Sequence, residues 1–447
     1  MNTFWLLAFI LAAAWMLYTY LGYPCVLLWQ KKRQQRRGKT QMGTDKPPSP
    51  AHQADQAHPS SSATGSDDAL PPVAVVIVAR HAPHQIGPKL RSCLDSDYPA
   101  GRIHVLLAID GPDEDTARAA EALGDPRVTV LRYPQHRGKA ATLNDAVARC
   151  TQPVVVMSDA RQRLAPDAIR RLVEALNREP AKAAISGELQ FEVPEGNFVG
   201  QGIDAYWRYE KWLRRTESEV ASTIGMTGAL YVMRRAAFRP IPAETILDDV
   251  LIPMQMVMDG HRTGFEQRAV AFDLPSSSMA QERRRKIRTL AGNFQLLQLA
   301  PRLASPFGNP AFFGFFSHKL CRLLTPVALL VMLVASIVLA RQSWFFALTL
   351  SAGLAIIAGA VAARLWPASR RWLPVRLSNT FVEMHLFIVL GLIEFLRNRD
   401  LHRWGAGAQP ADGTGPADPV HAPARGTAAH PGSPPASRQS PPPAARG

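Results

Sequence analysis

Pro153-Val-Val-Val-Met-Ser-Asp-Ala-Arg161 is the stretch whose reading decides the fold. Three valines and a methionine in a row, between polar neighbours, read as a strand buried on both faces. The polar step Ser158-Asp159 then falls at the C-terminal end of that strand, where open parallel sheets place their ligands. A carboxylate there can hold a metal ion or a sugar hydroxyl. Upstream, Val73 to Ala79 and Ile103 to Ile109 are similar apolar runs, the second ending in Asp110-Gly111, and Val128 to Leu131 is a shorter one. Between them lie helical patterns: Ile86, Leu90, Cys93 and Leu94, then a stretch from Thr116, then Lys139 to Arg149. Strand and helix alternate with short connections, which predicts an α/β fold with a mostly parallel, Rossmann-type sheet and helices on both faces. Asp110 and Asp159 both sit at strand C-termini and are expected on one edge.

Arg137-Gly138-Lys139 precedes the last of these helices. The glycine permits a tight turn, and a lysine beside free helix-terminal amides favours a phosphate, although such a pair alone is commonly a solvated cap. It is not a Walker loop, because the earlier glycine and the Ser/Thr after the lysine are missing. Downstream, Pro166-Asp167 opens a helix, Ala183 to Phe191 is another strand, and Gly202 to Glu217 is a helix carrying Trp207 and Trp212. Those tryptophans pack either on the sheet or membrane, or against substrate. Gly225 to Tyr231 is a tight turn into a strand. Asp248-Asp249 opens an apolar helix, either as a simple cap or as a catalytic pair; carboxylates already placed at two strand ends favour the second.

The apolar content of 47% is concentrated in long runs, and Lys+Arg 51 against Asp+Glu 36 gives a net charge of +15. The basic residues cluster beside apolar segments rather than along one groove, so a membrane surface fits and nucleic acid does not. Residues 1–30 read as an N-terminal membrane helix, and residues 31–70 as a basic flank and disordered linker. The flank, Lys31 to Arg37, follows the helix, which predicts a cytoplasmic catalytic domain over residues 71–280. Residues 281–322 contain an amphipathic interfacial helix rich in arginine, including Arg284 and Arg288. Residues 323–396 hold two clear spans, Leu323 to Ala340 and Trp344 to Ala363. A weaker one, Asn379 to Leu396, carries Glu383, His385 and Glu394 and either crosses or lies in the interface. Residues 397–447 read as a disordered tail. The cysteines Cys25, Cys93, Cys150 and Cys321 have no paired spacing, which fits a reduced compartment and not a metal-thiolate site.

Taken together these motifs resemble the family 2 membrane glycosyltransferases, the group that includes cellulose, hyaluronan and poly-N-acetylglucosamine synthases. The likeness runs from about Val73 to Leu396. Asp110 is similar to the family's nucleotide-binding aspartate, and Gly138-Lys139-x-x-x-Leu143-Asn144 to its Gly-Lys motif. Ser158-Asp159-Ala160-Arg161 stands in the place of Asp-x-Asp, and Asp167 in that of the Pro-Asp beyond it. Gly228-Ala229-Leu230-Tyr231 looks like the acceptor-side turn, Asp248-Asp249 like the pair supplying the base, and Arg288-Thr289 like the end of Gln-x-x-Arg-Trp.

The resemblance implies a GT-A-like fold with membrane helices at both ends, in the inner membrane. It implies inverting transfer from a nucleotide-diphosphate sugar, UDP-linked, to a glycan or lipid acceptor. Asp249, with Asp248, would be catalytic. Asp110, Lys139, Asp159, Arg161, Arg284 and Arg288 would bind the donor, and Gly228, Ala229 and Tyr231 the acceptor. Transfer to a polyprenyl phosphate, or a non-enzymatic subunit, are the alternatives.

Three departures qualify these expectations. Arg80-His81-Ala82 replaces the usual Tyr-Asn-Glu. Thr289 replaces a tryptophan that would stack on an acceptor sugar, which argues against processive synthesis. Arg161 replaces the second aspartate of Asp-x-Asp, so Mg2+ or Mn2+ held at Asp159 loses a ligand while the diphosphate gains a permanent cation. Weak or absent dependence on divalent metal is therefore expected.

Overall fold

The computed structural model describes residues 2–42, 70–192, 201–274 and 279–403, the side chains of residues 37–42, 201–207 and 279 excepted. Most of the expected linker, the tail beyond Arg403 and the side chain of Trp207 lie outside the described residues. The chain begins with helix α1 (Asn2–Leu17), a π-turn, and α2 (Tyr23–Met42). The catalytic region follows as β1 (Val73–Ala79), α3 (Pro83–Leu94), β2 (Ile103–Ile109), α4 (Glu114–Glu121), β3 (Val128–Arg132), α5 (Lys139–Ala148), β4 (Val154–Met157) and the short β5 (Arg163–Leu164). It continues with α6 (Ala168–Arg178), β6 (Lys182–Phe191), α7 (Gln201–Val220), β7 (Tyr231–Arg234), α8 (Asp248–Met258), β8 (Arg262–Asp273) and α9 (Met279–Leu299). The C-terminal region holds α10 (Phe312–Phe315), α11 (Cys321–Leu323), α12 (Thr325–Leu339), α13 (Trp344–Leu365) and α14 (Leu373–Arg397).

The eight strands form one sheet in the order β3-β2-β1-β4-β7-β6-β8-β5. β3, β2, β1 and β4 are mutually parallel, whereas β7 runs antiparallel to both β4 and β6. Every residue of β1 and β4 is buried, as their unbroken apolar runs require. Alternation along β1 feeds two cores. Val73, Val75 and Ile77 pack with α3, α4 and α6, while Ala74, Val76 and Val78 pack with α5 and α8 on the other face. Each buried valine contributes roughly 1.5–3 kcal/mol, so the strand that carries the site's edge is also among the most firmly held.

Three helices are long and apolar enough to cross a membrane: Asn2–Arg36, Trp344–Leu365 and Leu373–Arg397. The sequence ranks these differently. Leu323 to Ala340, expected as a clear span, qualifies only when Phe312–Leu323 and Thr325–Leu339 are taken as one pair bent by 53°. Pro326, in the first turn of α12, explains the break, since proline lacks the N–H that would continue the preceding helix. Conversely, the weaker candidate lies within a 25-residue helix, α14. Two of its polar residues find partners near by: His385 bonds the Phe381 carbonyl at 2.7 Å, and Glu394 accepts from Asn398 at 3.1 Å.

The basic flank is also more ordered than expected. α2 runs on to Met42, and Lys31 pairs with Glu219 of α7 at 2.6 Å while Gln34 donates to the Val220 carbonyl. α9, expected as an interfacial helix, packs along α14, where Phe294 and Phe395 stack at 6.4 Å. Gly391 makes the close approach possible, because a Cβ there would lie 2.7 Å from Leu290 Cβ.

Candidate active site

Strand direction brings the expected residues to one edge. β1, β2 and β4 end there, and because β7 runs antiparallel to β4 in the register Met157↔Tyr231, the beginning of β7 meets the end of β4. The Asp159 amide donates to the Gly228 carbonyl at 3.0 Å, and the Met226 amide to the Asp249 carbonyl at 2.8 Å. These two bonds hold the Gly228 turn between the Asp159 loop and the head of α8. A Cβ at Gly228 would sit 3.2 Å from Asp159 Oδ2 and 3.6 Å from Asp249 Oδ2. The two carboxylates thus face one another across a gap that only glycine leaves open.

Lys139 lies between two carboxylates. Its Nζ is 2.7 Å from Asp159 Oδ1 and 2.9 Å from Asp248 Oδ2. Burial alone would pull this ammonium down, but the attraction of Asp159 and Asp248 outweighs it and the net shift is upward. Burial likewise pushes Asp159 up, and Lys139, helped by Arg161 and Lys89, more than reverses it, so Asp159 stays ionised. Among the described residues Asp249 makes no ion pair, and the charges of Lys139 and Lys319 that reach it do not offset its burial. Burial and then the charge of Asp248 push it up to about 6, into the range in which a carboxylate exchanges protons near neutrality. Arg288 is within electrostatic reach of Asp248, Asp159 and Asp249, and it donates to the Leu401 carbonyl at 3.2 Å. A small recess of about 210 Å³ lies at the bottom of this cluster, between Lys139, Asp159, Gly228, Tyr231 and Asp248.

The remaining expected residues are placed as follows. Asp110 is fully buried, and its oxygens accept from His136 Nδ1 at 2.8 Å and from the amides of Arg137 and Gly138 at 2.9 and 3.0 Å. It holds the turn that presents Lys139, with Gly138 at φ +94. Tyr231 is buried under the aspartates. Ala229 supplies the carbonyl that accepts from Ser158 Oγ. Arg161 pairs with Asp273 at 2.7 Å, and the α9 cation whose charge reaches it is Arg285; Arg284 is exposed. Asp167 bonds Arg171 one turn along α6.

Several groups take parts that the sequence reading did not assign to them. Lys89 is fully buried beneath the site and donates to Ser158 Oγ at 2.5 Å. Its signal was present, because Lys89 interrupts the apolar stripe of Ile86, Leu90 and Cys93. Arg80 Nη1 donates to the Asp110 carbonyl at 3.1 Å, and among the described residues Arg80 Nε, just after β1, and His136 Nε2, between β3 and α5, are buried without a hydrogen-bond partner. Asn144 of the Gly-Lys motif clamps the backbone of Ile241 with both ends of its amide. Finally, residues just after α14 return to the sheet. Leu401 joins the core beside α5, and His402 covers Gly138, where a Cβ would meet it at 3.3 Å. The expected tail therefore begins only after this contact.

Ordered donors of this kind on a GT-A-type edge are matched by a family model described as glycosyltransferase like family 2, over residues 71–292. These residues form a family 2 glycosyltransferase domain. The glycosyltransferase domain is similar to proteins named N-acetylglucosaminyltransferase. One from Mesorhizobium japonicum is 27% identical over 55% of this chain and 61% of the relative. Another, from Rhizobium meliloti, is 24% identical over 77% of this chain and 84% of the relative. The chain spans about three fifths of the length of the first of these. Among solved structures, a mannosyltransferase from Pyrobaculum calidifontis in complex with GDP-Man and Mn2+ superposes with a TM-score of 0.60. It is 21% identical, and the match covers 87% of this chain and 99% of that one, which shows a common GT-A fold.

That relative holds Mn2+, so the fit of this donor set to a divalent ion matters. Among the described residues no group of three or more His, Cys, Asp or Glu side chains is arranged to hold a metal. Lys139 lies between Asp159 and Asp248, and Arg161 pairs with Asp273 beside Asp159. Hard divalent cations need several oxygen ligands at about 2.0–2.6 Å, and this arrangement supplies cations instead. The residues present do not fit the metal.

Proposed function

We propose that this protein transfers a sugar, with N-acetylglucosamine as the first candidate, from a nucleotide-diphosphate donor to a hydroxyl of a membrane-associated acceptor, inverting the anomeric centre. The names of its relatives support the sugar, and its apolar helices support an acceptor at the membrane. The single observation that carries the reaction type is Asp249: a carboxylate pushed up to about 6, facing Asp159 across Gly228.

The diphosphate lies against Lys139, Arg161 and Arg288, with the nucleoside towards Arg80, His136 and the Asp110 turn. The acceptor oxygen gives its proton to the Asp249 carboxylate as it bonds to the anomeric carbon. The bond from that carbon to the diphosphate oxygen breaks, and the leaving electron pair is stabilised by the three cations. No covalent intermediate is required, which accounts for one base sufficing. The sheet faces the cytoplasm, where nucleotide sugars are made, and the helices sit in the inner membrane.

The test is turnover of UDP-N-acetylglucosamine by the purified full-length protein in detergent or vesicles, with product anomers read by proton NMR. Release of UDP that depends on Asp249, with a β-linked product, supports the reading. Retention of the donor's α configuration overturns the inverting mechanism, and turnover unaffected by Asp249→Asn overturns the base.

A further inference from the structure

Between α7 and the helical stretch that leads into α12, a second charged cluster lies outside the donor site. The helical stretch Phe312–Leu323 contains a π-turn, Phe316–Leu320, and packs on α7. His318 Nδ1 is 2.6 Å from Glu217 Oε1, and its Nε2 is 3.2 Å from Glu210 Oε2. Arg322 pairs with Glu210, and Tyr23 of the N-terminal helix donates to Glu217 at 2.8 Å. Gly314 brings this stretch against Ile224, with only 2.8 Å for a Cβ, and Ile224 lies in the loop that leads to Gly228. The cluster is thereby keyed to the acceptor-side turn.

Glu210 also acts on Arg214 and Lys319 through space, but two glutamates here face three permanent cations, Arg322, Arg214 and Lys319, besides His318. Lys319 lies in the π-turn beside His318, and Arg214 lies on α7 between Glu210 and Glu217. Each is partly buried, and among the described residues neither makes a hydrogen bond or an ion pair. Of the aspartates around the donor cleft, the one within electrostatic reach of Lys319 is Asp249, and Arg214 is within reach as well. Two neighbouring partly buried cations repel one another and are poorly hydrated, a costly arrangement that a bound anion relieves. The donor's diphosphate has cations of its own at Lys139, Arg161 and Arg288. Because Phe312–Leu323 forms half of a bent pair of helices apolar enough to enter a membrane, an anion reaching it arrives most directly along the bilayer.

Resting on the glycosyltransfer reading, we infer that Lys319 and Arg214 form a subsite for an anionic group of the acceptor, a phosphate or diphosphate ester joining the accepting sugar to a lipid. Because the charge of Lys319 reaches Asp249, the hydroxyl beside the base and the lipid-linked phosphate beside Lys319 belong to one molecule. This gives the enzyme a way to select a lipid-linked acceptor over a free sugar by charge rather than by stacking, consistent with Thr289 at the position where the family carries a tryptophan.

The test uses the full-length protein in detergent, with the donor site saturated by UDP, and measures binding of farnesyl diphosphate, farnesol and inorganic diphosphate. Farnesyl diphosphate is expected to bind and farnesol not. Lys319→Gln and Arg214→Gln should each weaken binding by about tenfold or more, and Lys319→Arg should restore most of it, which separates the charge from the packing. Equal binding of inorganic and farnesyl diphosphate, both lost in Lys319→Gln, would keep the anion subsite and overturn its lipid source. Affinity for farnesyl diphosphate unchanged in both glutamine variants would overturn the subsite. Binding of UDP-N-acetylglucosamine to the unsubstituted protein, measured separately with no UDP added, tests the glycosyltransfer reading on its own.

Discussion

Lys139 Nζ lies 2.9 Å from Asp248 Oδ2, tying the head of α5 to the head of α8 across the cleft. The same ammonium holds Asp159 at 2.7 Å. One lysine therefore bridges two carboxylates from opposite sides of the site, while Asp249, beside them, makes no ion pair among the described residues.

Replacing Lys139 with glutamine should therefore cost stability as well as donor affinity. Two carboxylates would lose their nearest counter-charge, at a cost of about 2–4 kcal/mol once the partial exposure of Asp159 and the remaining cations are allowed for. The folded pKa of Lys139 is raised, so its contribution is fully present below its unfolded value and is lost at strongly alkaline pH. That of Asp159 is depressed, so its contribution is present above its unfolded value and is lost as pH falls below about 4. Denaturant midpoints should show a constant difference between the two proteins from pH 5 to 9, narrowing only outside that window.

Asp249→Asn should abolish transfer, by about 100- to 10,000-fold in kcat, with donor binding retained. In the unsubstituted enzyme the rate should fall about tenfold per unit below pH 6, as the base takes up its proton. Stability should move the opposite way. Because the folded pKa is raised, folding binds more protons than unfolding and stability declines as pH rises from about 4 to 6. The asparagine variant escapes this penalty and should be more stable at pH 7 by roughly 1–3 kcal/mol, which thermal unfolding would detect.

Gly228→Ala places a methyl group 3.2 Å from Asp159 Oδ2, between it and Asp249. A displacement of either carboxylate by a few tenths of an ångström should cost about 10- to 100-fold in kcat/KM, with a change of about 1 kcal/mol or less in stability. Full activity in this variant would show that nothing needs to occupy the gap.

Donor turnover should survive chelation. With Lys139 between the carboxylates and Arg161 in place of a ligand, the diphosphate is neutralised by side chains, and added Mg2+ or Mn2+ should change the rate little. Arg161→Asp should reverse this, lowering activity in chelator and creating a response to Mn2+. A rate that collapses in chelator for the unsubstituted enzyme sinks the assignment.

The parts of this site that were legible in the sequence share one property: local pattern alone places them. The run before Ser158 could only be a buried strand, and an aspartate after it had to reach the ligand edge. Asp248 and Asp249 stood out as a pair opening an apolar helix. What stayed hidden depended on distant parts of the chain. Nothing in the short polar stretch after α14 indicates that His402 will cover Gly138, because the contact depends on where α14 ends relative to the sheet. Lys89 was masked by its own helix, a single polar residue within a stripe otherwise read as core. Hydropathy favoured the segment from Leu323 over that from Asn379, because a sum over side chains does not register a break at Pro326 or partners such as those of His385.

The engagement of Asp110 changes how substitutions there are to be interpreted. Both of its oxygens are consumed by the turn they hold, so removing the carboxylate lets that turn collapse whether or not a nucleotide ever touches it. A dead Asp110 variant is thus a readout of scaffold integrity. Discrimination among nucleobases is better measured at Arg80, which touches only the Asp110 carbonyl and leaves the carboxylate's bonds in place.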